Sequence, residues 1–177
     1  MADSGFNARD KYPGFNKIKT TFHNAGRAEP VSSGNTAWEV EATGAFTLAD
    51  GETASFSNVG LIIPLSGLRE GDKLIAYRVV GAIGSSADAD AGTATLTCEC
   101  IKVTRTAAGA ATALIGTETV ITQGGNTDDA LIDQEISLSE EVVAADAQYI
   151  VRLRGTTEQE LYSDITVIGV ELDVKRA

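Results

Sequence analysis

A two-residue alternation of apolar and polar side chains runs through most of the chain from Trp38 onward. Successive side chains of a strand point to opposite faces, so this pattern marks ribbons with one buried face. "AWEVEA" sets Trp38 and Val40 on one side, and "DKLIAYRVVGAI" does the same with Ile75, Tyr77 and Val79. "ALIDQEISL" turns Ile132, Ile136 and Leu138 inward, and "QYIVRLRG" turns Tyr149, Val151 and Leu153 inward. Turn-rich stretches separate these segments: "ADG", "REGD", "GSSADADAG", "TAAGAAT", "QGGNTDD" and "RGTTEQE". One segment, "SEEVVAADA", offers a helical pattern, of two turns at most. Short strands at regular spacing predict an all-β antiparallel sandwich of about eight strands. A jelly-roll is the leading topology, with an immunoglobulin-like Greek key as the alternative.

Two changes of phase interrupt the alternation. In "TLTCECIKV" the apolar set passes from Cys98 and Cys100 to Ile101 and Val103, which predicts a bulge near Cys100–Ile101. In "DITVIGVELDVK" it changes at Ile168–Gly169, where glycine eases a bulge. "DAQY" at 146–149 resembles the sequence at the tyrosine corner of immunoglobulin-like sandwiches, where a tyrosine hydroxyl returns to upstream backbone. The insert "SGLREGD" reads as a short connection, with Leu68 under the sheet and Arg69, Glu70 and Asp72 solvated.

Residues 1–36 differ in kind. They are poor in aliphatics and hold five basic and three acidic side chains, whereas the whole chain has net charge -11. A weakly basic N-terminal arm (1–36), with one short strand at "NKIKTTF", is therefore expected before an acidic sandwich domain (37–177). Phe6, Tyr12, Phe15 and Phe22 would anchor the arm, and Arg9, Lys11, Lys17 and Lys19 would supply its charge. So acidic a body repels nucleic acid. No apolar run reaches the ~18 residues of a membrane span, and "MADSGFNARD" is too polar for a signal peptide.

Chemistry-bearing patterns are sparse. Cys98 and Cys100, two residues apart on a strand, lie about 7 Å apart on one face, poor for a disulfide, and read as buried free thiols. The single histidine, His23, falls in the arm, outside the expected core, and no nucleophile motif accompanies it. The chain therefore reads as no enzyme, and no cofactor is expected. Asp88 and Asp90 before Gly92 begin like a calcium loop but lack its later ligands. Asp128 and Asp129 are equally isolated. Trp38 and Tyr77 fall on core faces, leaving Tyr162 as the aromatic for a sugar.

The order "NVGLIIPLSGLREGDKLIAYRVVG", a Thr/Ala-rich long strand, "VVAADAQYIVRLRGTT" and the closing "DITVIGVELDV" resembles small β-sandwich structural proteins of phage and virus particles, of head-decoration, head-fibre or tail-associated type. The resemblance is one of style and layout. It implies a homo-oligomer, commonly a trimer, made in the host cytoplasm and bound to capsid or another virion protein as decoration or cement. A receptor- or glycan-binding module using the sandwich loops is the alternative of another class. A filament or surface-layer subunit donating its arm as a strand is a third.

Overall fold

The computed structural model describes residues 18–25, 29–31, 38–48, 56–85, 94–123, 130–132, 134–157 and 163–177. Among them are twelve strands and no α-helix: β1 (Ile18–Asn24), β2 (Glu29–Val31), β3 (Trp38–Val40), β4 (Phe46–Leu48), β5 (Phe56–Pro64), β6 (Lys73–Ser85), β7 (Ala94–Thr106), β8 (Gly109–Gln123), β9 (Ala130–Leu131), β10 (Glu135–Val142), β11 (Ala147–Thr157) and β12 (Ser163–Lys175). All pairings are antiparallel. Sheet A runs β10-β6-β12, after which β12 is flanked by β4 along its first part and by β1 along the rest. Sheet B runs β2-β5-β11-β7-β8.

The eight long strands settle the topology. Four in sheet A (β10-β6-β12-β1) face four in sheet B (β5-β11-β7-β8), and the first of them lies beside the last. That order is a jelly-roll. An immunoglobulin-type sheet would set the first strand beside the second instead.

The core lies between the sheets. Leu61, Ile63, Leu96, Val151 and Leu153 come from sheet B, and Leu74, Tyr77, Val79, Val167, Val170 and Leu172 from sheet A. Trp38, Phe46 and Leu48 close one end. Cys98 and Cys100 are buried and unbonded, and burial pushes both thiols up to about 12, so they remain protonated and inert. The Tyr77 hydroxyl shares this interior without a hydrogen-bond partner. Burial holds its ionisation far above the usual range.

The bulge expected at Ile168–Gly169 is present: the β12–β6 register shifts between Val167 and Gly169. The one expected at Cys100–Ile101 is not in β7, which pairs with β11 in unbroken register from Ala94 to Thr104. The irregularity belongs to β8, where the three residues Gly116–Glu118 lie opposite the single Glu99 of β7, and Gly116 takes φ 72. Ile101 and Val103 simply occupy the outer face, and Ile101 is covered there by its neighbours. A second shift in β6 makes Ile75 the extra residue between inward Leu74 and inward Tyr77. Val40 is exposed although Trp38, two residues earlier, is buried. "SEEVVAADA" forms no helix: Ser139 and Glu140 take left-handed φ of 54 and 55, and the β10–β6 register breaks beside them.

The tyrosine-corner contact exists within this jelly-roll. The Tyr149 hydroxyl accepts the Ala144 amide (3.0 Å) and donates toward the Val142 carbonyl (3.4 Å). Tyr149→Phe is expected to lower stability by about 1–2 kcal/mol, because a backbone amide loses its acceptor. A urea midpoint equal to wild type would show the hydroxyl to be idle.

The sheets do not begin at the expected arm–domain division. β1 and β2 come from within residues 1–36, and β1 pairs along its whole length with β12, from Ile18↔Lys175 to Asn24↔Gly169. His23, read as outside the core, is buried: its Nδ1 accepts the Ser66 amide (3.3 Å), and its Nε2 lies 3.2 Å from Thr21 Oγ1. Burial lowers its pKa. The unfolded chain therefore takes up this proton first, so the stability tied to neutral His23 is complete above roughly pH 6.5 and is lost as pH falls toward the folded value. Thermal melts should show Tm falling between pH 7 and 5, less steeply in His23→Gln; identical slopes would remove His23 as the cause.

Candidate functional site

The two outer faces differ in chemistry. On sheet A, Arg78 bridges Glu135 on β10 and reaches Asp173 (3.5 Å) and Glu171 (4.0 Å) on β12. Lys73 pairs with Glu140 (2.9 Å), and Thr20 donates to Asp173 (2.6 Å). These are surface ion pairs, each of small energetic weight, and the same sheet's β1 and β12 also expose Ile18, Phe22 and Ile168.

The outer face of sheet B is built otherwise. Tyr149, Val151 and Leu153 point inward along β11, so Ile150, Arg152 and Arg154 point out. Register then sets Pro64, Ile150, Ile101 and Leu114 side by side across β5, β11, β7 and β8. The adjoining row holds Ile62, Arg152 and Glu99. An open groove of about 370 Å³ follows these rows, lined by Ile62, Glu99, Ile101, Leu114, Ile150 and Arg152. Leu114 and Val120 of β8 are about half exposed.

Glu99 is the charged centre of this face, its side chain only 9% exposed. Its carboxylate accepts Arg152 Nε at 2.7 Å, and Arg154 Nε lies 3.4 Å away. Arg154 Nη2 meets Glu118 at 2.5 Å. The Arg152 hydrogen bond, against the opposing effect of burial, and the charges of both arginines hold the Glu99 carboxyl below its usual range. Arg154 Nε is buried and, despite its nearness to Glu99, makes no aligned hydrogen bond.

Of the residues expected to form an interaction arm, Phe6, Arg9, Lys11, Tyr12, Phe15 and Lys17 lie outside the described residues. Lys19 and Phe22 are on β1; Phe22 is half exposed opposite Glu171. Asp88, Asp90, Asp128, Asp129 and Tyr162 also lie outside the described residues. Among those described, no three His, Cys, Asp or Glu side chains gather as metal ligands. Trp38 and Tyr77 are core residues as expected.

The sheet B face was missed in the sequence. Its signal was there: Ile62, Ile101 and Ile150 are apolar at positions whose neighbours already fill the core. The Glu99–Arg152 pairing needs the β7–β11 register, which sequence does not supply.

No family model and no curated protein sequence matches the chain. Among solved structures, it is similar to the CBM22-1–GH10 modules of Clostridium thermocellum endo-1,4-β-D-xylanase 10B complexed with xylohexaose, with TM-score 0.48 and 15% identity over 90% of this chain and 28% of that one. The chain thus spans less than a third of that structure. It is also similar to the CBM22-1 xylan-binding domain of Paenibacillus barcinonensis Xyn10C, with TM-score 0.46 and 8% identity over 92% of this chain and 97% of that one. The xylan-binding module CBM15 gives TM-score 0.41 and 15% identity over 90% and 99%. None of these three is a phage or virus protein. Likeness at this level assigns no ligand, and the jelly-roll rests on the strand order itself.

Proposed function

We propose that the chain is a non-enzymatic recognition module that docks through the outer face of sheet B, and that its partner is a protein surface of an assembled particle, the role of a capsid decoration or cement protein. The observation that carries this reading is the register-aligned apolar row of sheet B set against a mostly buried, arginine-paired carboxylate. Pro64, Ile150, Ile101 and Leu114 form that row across four strands, with the Glu99–Arg152–Arg154 cluster beside it, whereas the apolar side chains exposed on sheet A, among them Ile18, Phe22 and Ile168, stand among its ion pairs. Aliphatic rows rimmed by charge are the make-up of protein docking surfaces. The acidic body suits crowding at high local copy number.

A second reading, a glycan-binding module, has its own support in the open groove, where Arg152, Glu99 and Thr112 could bond sugar hydroxyls beside an aliphatic floor. No aromatic side chain lines that groove to stack on a sugar. Two measurements on the full chain separate the readings: retention on a polysaccharide panel, and co-sedimentation with particles from the protein's source. Co-sedimentation that Leu114→Asp reduces at least about tenfold, with no polysaccharide retained, supports docking on protein. Polysaccharide retention that Arg152→Ala abolishes overturns it in favour of the glycan. Arm deletion for such work should remove residues 2–17, because a cut to 36 would take β1 and β2 with it.

A further inference from the structure

The end of the β7–β8 hairpin supports an inference that does not depend on the docking reading, although Thr112 and Leu114 belong both to the sheet B face and to this edge. β8 is the last strand of sheet B and, among the described residues, hydrogen-bonds along its length only with β7. Beyond Thr104, the last β7 residue paired with β11, the hairpin runs on alone. Residues 105–114 are exposed on both faces of the ribbon. At Gly116 the strand meets the other sheet: an added Cβ would lie 2.8 Å from the Ser137 carbonyl. The open edge is therefore Gly109–Ile115, "GAATALI".

This edge lacks the usual protections. Natural edge strands carry charge, proline or a bulge to keep other strands off. Here seven successive residues have no charge and no proline, and the bulge comes only after them. In a chain of net charge -11, it is where two copies can approach without like charges meeting. An antiparallel ladder of a strand with its own copy is two-fold symmetric, so one segment supplies both sides. That direction also carries Arg105, at the hairpin tip of one copy, toward the Glu118 end of the other β8.

We propose that β8 is a self-association edge: two copies pair Gly109–Ile115 antiparallel, joining their B sheets into one continuous sheet. The docking faces of the two copies would then lie side by side on the joined sheet.

The test uses the full chain and sedimentation equilibrium. Wild type is expected to reach the mass of two chains, and Ala111→Lys/Ala113→Lys is expected to weaken self-association at least about tenfold, placing like charges across the joint. Single cysteines at 110, 111, 112 and 113 locate the two-fold axis; the native thiols are buried and do not compete. Oxidative cross-linking should peak at one of these positions. A wild-type monomer at all concentrations, or an oligomer that the lysine pair leaves intact and that none of the cysteines cross-links, would overturn the proposal. An unchanged thermal melt of the lysine variant shows that the loss is not one of folding.

Discussion

Gly81→Val is expected to abolish folding of the sandwich, and Gly81→Ala to cost at least about 3 kcal/mol. Gly81 lies mid-β6, opposite Val167 of β12, and its carbonyl accepts the Ile132 amide (3.0 Å). A Cβ placed there falls 2.1 Å from the Thr166 carbonyl oxygen and 3.2 Å from the Val167 Cα. The obstacle is backbone, so no rotamer change relieves it. The cause is the neighbouring bulge: with Ile168 as the extra residue, β12 leans onto β6 just before the register shifts. Relief would need the two central strands of sheet A to part. With typical stabilities of about 5–15 kcal/mol, loss of that pairing leaves little of the fold. Gly44→Ala is the control, since its Cβ meets nothing and only the left-handed φ of 81 opposes it, at about 1 kcal/mol. Soluble Gly81→Val with a wild-type urea midpoint would disprove the account.

The second large effect is expected at Asp72, read in the sequence as solvated but only 1% exposed. Its carboxylate accepts the Arg69 amide (2.9 Å) and the Ala177 amide (3.3 Å), and pairs with the Arg176 guanidinium. Its own backbone amide bonds the Arg69 carbonyl (3.0 Å), and its carbonyl takes the Val143 amide (2.7 Å). One aspartate thus ties the β5–β6 connection to the end of β12 and the segment after β10. Asp72→Ala should destabilise by about 2–3 kcal/mol, since it strips the acceptor from two amides and a partly buried guanidinium. Arg176→Ala should cost less, because both amides keep their acceptor. Burial alone would raise the Asp72 pKa, but the Arg69 amide, Arg176 and the Ala177 amide outweigh it and hold it below the ordinary value. The unfolded carboxyl therefore binds its proton first. This contribution is complete above roughly pH 4 and fades as pH falls below it. Chemical denaturation at pH 7 and pH 3 checks both points: the gap between wild type and Asp72→Ala should be wide at pH 7 and narrower at pH 3. A constant gap would mean that the carboxylate charge is irrelevant.

The sequence conveyed strand identity well where one face is buried and the other wet, as in β11, where Tyr149, Val151 and Leu153 are inward as expected. It conveyed the Ile168 bulge because glycine and a phase change coincide there. It misled where both faces of a strand are apolar, as at Ile101, whose outer face has work of its own. "TAAGAAT" reads as a loop by composition, yet β8 begins at Gly109, because a two-residue turn at Ala107–Ala108 suffices. His23 and Asp72 were misplaced for one reason: their burial depends on segments far away in sequence, Ser66 for the histidine and Arg176–Ala177 for the aspartate. The docking face needed register between four strands, which no single segment encodes.

The pairing of the first long strand with the last bears on how the chain is born. β12 pairs with three strands, β1, β4 and β6, and follows all three in the chain. Between the end of β1 and the start of its partner stretch the ribosome must add residues 25–168, roughly 7–30 s of translation. For that interval β1, with Ile18 and Phe22 on one side, has no strand to lie on, and sheet A lacks its centre. Completion of sheet A therefore waits for β12, and a ribosome stalled before β12 would leave a nascent chain open to chaperones and proteases along three unfinished edges.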